Sequence, residues 1–117
     1  MTGCRILLVS PDLMVGSRLS GLARAAGHSL EQRHAVAPAA GFDLVMLDLQ
    51  GLPAGPAAAI AALRAPGPDG VGPRLVAFGP HVATALLDEA RAAGADAVVS
   101  RGEMLGGFAA VLARIGC

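Results

Sequence analysis

The chain has 117 residues, enough for one domain with a single core, and none of its apolar runs is long enough to cross a membrane. Nine acidic residues balance nine basic ones, all of them Arg, which rules out lysine-based chemistry and argues against a broad nucleic-acid footprint. Three Phe with neither Trp nor Tyr leave no material for base-stacking platforms.

Residues 5–10 (RILLVS) form a short apolar run and predict a first strand. Arg5 leads straight into it, so no amino-terminal signal pattern is present and a cytoplasmic location is expected. Pro11 and Asp12 end the strand. Asp12 suits a helix N-cap, Val15, Leu19, Leu22, Ala23 and Ala26 keep helical spacing, and Gly27 suits the stop. Residues 29–35 (SLEQRHA) alternate weakly, as an edge strand does. Only residues 35–41 separate this run from the next. A parallel crossover normally takes about a dozen residues or more and a helix, so this connection is expected to be cut down to a loop or a single turn.

Residues 42–49 (FDLVMLDL) carry the strongest strand signal. Four apolar residues run unbroken into Asp48, the pattern of a strand buried on both faces. Gly51, Pro53 and Gly55 mark a loop, and Pro56 suits the first turn of an Ala-rich helix ending near Arg64. Residues 65–73 read as an exposed loop. Residues 74–78 (RLVAF) predict a fourth strand, and Gly79, Pro80 and His81 a turn. Val82, Leu86, Ala90 and Ala93 mark a helix stopped by Gly94. Residues 96–100 (DAVVS) predict the last strand. Ser100 and Glu103 have capping-box spacing ahead of one final helix to about Ile115. Gly102, Gly106 and Gly107 would let that helix approach a neighbour closely. Strands alternating with helices specify an α/β fold around a parallel sheet with right-handed crossovers. Five strands with one helix nearly missing fit the flavodoxin-like, doubly wound order 2-1-3-4-5, which puts Asp48 at the carboxyl edge where ligands bind in such sheets.

The residues ILLV before an acid, FDLVMLDL and AGADAVVSR together resemble the receiver domains of bacterial two-component response regulators (the CheY-like fold), and the resemblance spans nearly the whole chain. It implies one receiver-like domain over 1–117 with no output domain, working in signal transduction or a phosphorelay rather than as an enzyme. It places Asp48 as the phosphoacceptor candidate, with the Gln50 carbonyl two residues on. The family's magnesium-binding acidic pair aligns with Ser10 and Pro11, with Asp12 one residue late. The family's hydroxyl position falls at Phe78 or Gly79, and its lysine position at Arg101. Metal ligation would fall to Asp12 and Asp48, and few charges would hold Mg²⁺ only weakly.

With so much of that machinery replaced, the expectation is a pseudo-receiver, needing no cofactor and acting by protein–protein contact, either with a pathway partner or as a homodimer. The docking face would span residues 82–115, the helix before the last strand, that strand and the final helix. Neither nucleic acid nor membrane is expected as a partner. Two alternatives stand beside it: a phosphorylatable single-domain regulator using Asp48, and a small-molecule-binding flavodoxin-like module. Asp48 could instead be held bidentately by Arg101, and Asp12 could serve only as a cap. His81 is a further site candidate, as proton carrier or ligand, while His28 and His34 fall on surface elements. Cys4 and Cys117 are expected near each other but as free thiols, since a reducing cytoplasm keeps disulfides rare.

Overall fold

The computed structural model describes residues 3–68 and 70–117. Its elements in chain order are β1 (Arg5–Val9), α1 (Leu13–Ala25), β2 (Ser29–Arg33), β3 (Leu44–Asp48), α2 (Gly55–Leu63), β4 (Arg74–Gly79), α3 (Thr84–Ala92), β5 (Ala97–Ser100), α4 (Arg101–Gly106) and α5 (Phe108–Arg114). The strands form one wholly parallel sheet in the order β2-β1-β3-β4-β5.

Sequence pattern accounts for the layering. Every residue of β3 is buried, and its side chains alternate between two cores. Leu44 and Met46 join Ile6, Leu8, Val76 and Phe78 under α1, α4 and α5. Val45 and Leu47 join Leu7, Val9, Leu75 and Ala77 under α2 and α3. The three central strands are thus apolar on both faces, as helix-covered parallel sheets require. Strand β2 has no fully buried residue, as befits an edge. At the amino edge, side chains take up strand amides: Asp43 accepts from Arg5 N (2.8 Å), Asp96 from Leu75 N (2.8 Å), and His28 Nδ1 from Cys4 N (2.9 Å). His28 therefore has a structural bond that its surface placement did not suggest.

Helix ends follow the expected chemistry. Asp12 Oδ1 accepts from Met14 N and Val15 N, and Ser100 Oγ from Glu103 N. Gly27 at φ 84° turns the chain out of α1 in a conformation that side chains with a Cβ avoid.

Three expectations are corrected. The last helical segment is two helices, because Gly107 (φ −129°) leaves helical geometry between α4 and α5. A Cβ at Gly106 would meet nothing, so the close approach expected of that glycine is not made. Cys4 and Cys117 are joined in a disulfide, with Cα atoms 6.0 Å apart. Helix α5 returns the chain to the amino end of β1 and delivers Cys117 there, a proximity strong enough to overturn the expectation of free thiols. The β2–β3 crossover, residues 34–43, holds no helix or strand, in line with its length. Ala39 tucks it into the α2–α3 core, and Arg5 holds Gly41 O (2.7 Å) while its guanidinium covers the Phe42 ring.

Candidate functional site at the carboxyl edge of the sheet

Asp48 ends β3 beside Phe78 of β4, and its side chain is 1% exposed. A buried carboxylate needs donors, and three chain segments surround this one. From the β1–α1 loop, Ser10, itself fully buried, donates its hydroxyl to Asp48 Oδ2 at 2.7 Å. From the loop after β3, Gln50 N donates to Oδ1 at 3.0 Å. From the first residue of α4, Arg101 Nη2 stands 3.9 Å from Oδ2. That nitrogen donates instead to Gln50 Oε1, and Arg101 Nε is buried with no hydrogen-bond partner among the described residues. Asp48 is therefore held chiefly by a serine hydroxyl and a backbone amide. The bidentate guanidinium clamp envisaged from the sequence is not formed.

Ser10 is the residue whose part the sequence hid. Aligned with the acidic pair, it marks only a loss; in three dimensions it is the direct partner of Asp48. It is fixed in turn, since its Oγ accepts from Asp12 N (3.1 Å) and its carbonyl accepts from Gln32 Nε2 (3.0 Å). Gln32 also reaches Asp12 O (3.2 Å), so an edge-strand amide pins the loop. Gly16 makes room for it, because a Cβ there would stand 1.9 Å from Gln32 Oε1. No spacing in the sequence signals a contact across 22 residues.

The other candidates lie around this centre with different surroundings. Asp12 faces away into the first turn of α1 as its N-cap. Gly79 is buried at the end of β4, opposite Ser100. A Cβ there would meet Leu49 and Leu87 at 3.5–3.8 Å, ordinary contact, so the site has room for a Cβ. His81 is exposed in the turn after β4, and no hydrogen bond ties it to Asp48 among the described residues. Among those residues, no group of three or more His, Cys, Asp and Glu is disposed to hold a metal ion.

No protein-family model and no curated protein matches the sequence. Solved structures do match. A response regulator receiver protein from Burkholderia phymatum superposes with a TM-score of 0.75 at 21% identity, covering 97% of this chain and 95% of that one. The receiver domain of a sensor histidine kinase from Pseudomonas aeruginosa, with magnesium in its active-site cleft, gives 0.74 at 17% identity over 97% of both chains. An orphan response regulator of H. pylori gives 0.71 at 13% identity, covering 98% of this chain and 99% of that one. Element order, sheet topology and these superpositions agree that the chain has the fold of the response-regulator receiver domains, a five-stranded flavodoxin-like sheet of order 2-1-3-4-5.

Proposed function

We propose that this protein is an atypical receiver domain, a cytoplasmic signalling module that acts through contact with a protein partner and not through magnesium-dependent phosphorylation of Asp48. One observation carries the reading: the hydroxyl of Ser10 occupies Asp48 Oδ2, at the position that the sequence resemblance aligns with a metal-binding acidic residue. A hard octahedral cation needs several oxygen ligands and neutralising charge. Here Asp12 is engaged with helix amides, and among the described residues Asp48 is the one carboxylate that is buried. The donor set does not suit Mg²⁺. Output would use the face spanning residues 82–115, where Val82 is 74% exposed ahead of α3.

Incubation with acetyl phosphate or beryllofluoride and Mg²⁺ tests the reading. The expected result is no mass gain and no shift of the Asp48 amide resonance; a stoichiometric phosphoryl adduct would overturn it. Light scattering at rising concentration tests self-association through the 82–115 face, and a monomer throughout would leave only a foreign partner.

The second reading, a phosphorylatable regulator, is favoured by one feature. Arg101 keeps a buried Nε without an acceptor beside Asp48, where a phosphoryl oxygen would find a donor. The same incubation decides between the two.

A further inference from the structure

A cavity of about 490 Å³ opens beside Asp48, at the carboxyl ends of β1 and β3. It lies between α2 and the 34–36 stretch of the crossover that has no helix. Its size is within the range of small-molecule pockets, roughly 300–1,000 Å³. The wall is apolar: Val9, Pro11, Val36, Leu52, Pro53 and Ala58. Among the described residues, the ionisable side chains lining it are His34 on the exposed crossover and Asp48. No Arg is among the lining residues, and the chain has no Lys.

The charge balance at Asp48 selects a ligand. A carboxylate offers about four acceptor sites. Asp48 takes one donor on Oδ1 from Gln50 and one on Oδ2 from Ser10, and its nearest cation, 3.9 Å away, bonds to Gln50 instead. The guanidinium at 3.9 Å only partly offsets the buried negative charge of Asp48, which leaves room for a closer cation. A ligand ammonium would meet that charge, while an apolar body would cover the surrounding aliphatic wall. An anionic ligand would find neither Arg nor Lys in the lining and would face the Asp48 charge. An inorganic cation would find only one carboxylate and would leave the apolar wall wet.

We propose that this cavity binds a small amphipathic organic amine, its ammonium directed at Asp48 on the cavity's inner wall and its hydrocarbon part against Val9, Val36, Leu52 and Ala58. The cavity and its charge support this independently of any signalling role.

The test is titration of the full chain by amide-detected NMR with 2-phenylethylamine, 2-phenylethanol, phenylacetate and MgCl₂ at matched ionic strength. The amine should give saturable shifts centred on Val9, Val36, Asp48 and Ala58, about tenfold tighter than the alcohol, with phenylacetate inert. Ala58→Trp fills the cavity from an exposed helix position and should abolish amine binding while circular dichroism stays unchanged. Asp48→Asn, if folded, should bring amine and alcohol to equal affinity. Equal affinity for amine and alcohol in the parent chain overturns the proposal. So do Mg²⁺ shifts matching those of the amine, undiminished binding by Ala58→Trp, and no saturable binding by any probe at millimolar concentration.

Discussion

At the scale of single residues, the site turns on what a hydroxyl does for a buried carboxylate. Ser10→Ala removes the 2.7 Å donor from Asp48 and leaves Oδ2 with only the distant Arg101. A hydrogen bond to a charged group contributes about 1.5–3 kcal/mol, so a loss of that size in denaturant unfolding is expected. Arg101→Ala should cost less, below about 1 kcal/mol, because a partly exposed ion pair at 3.9 Å is weak. An Arg101 loss equal to or larger than that of Ser10 would make the guanidinium, not the hydroxyl, the main support of Asp48. Gly79→Ala should fold with stability within about 1 kcal/mol of the parent, because its Cβ meets only ordinary contacts. The position of Asp48 was legible in the sequence, since an apolar run ending in one acid fixes where a parallel strand ends. Its partner was not, since the Ser10 contact depends on how two loops meet across the sheet.

At the scale of elements, strands and caps are written locally, whereas breaks and shortened connections answer to packing. The alternation within 44–48 sends successive side chains to opposite cores, so β3 could be read without coordinates. Asp12 could be read as a cap from its place before Val15 and Leu19. Asp12→Ala should cost about 1 kcal/mol, seen as a lower thermal midpoint, because Met14 N and Val15 N lose their acceptor. The same change frees the amide that Ser10 Oγ accepts from only if the loop shifts, so the Asp48 resonance is a sensitive second readout. The division between α4 and α5 escaped because a glycine inside an amphipathic pattern is compatible with both a continuous helix and a break. At Gly107, φ −129° and ψ 35° take the backbone out of the helical region between the two segments.

At the scale of the whole molecule, the disulfide between Cys4 and Cys117 spans 113 residues of sequence. In the chain-entropy account a loop that long stabilises by about 4–5 kcal/mol. Reduction, or Cys117→Ser, should lower the unfolding free energy toward that amount while the sheet topology persists, because both cores form without the sulfurs. An unchanged denaturation midpoint under reducing conditions would show that the bond contributes nothing. The expectation of free thiols rested on compartment alone. A reducing cytoplasm disfavours the bond, so reductant-dependent stability separates the two forms of the chain. The ring has a mechanical consequence. Its two junctions lie side by side, so tension applied beyond Cys4 and Cys117 travels through the sulfur bridge and leaves the sheet unloaded. Stretched by its ends, the oxidised chain would withhold on the order of 400 Å of contour length, and a reductant would release it as a single lengthening step.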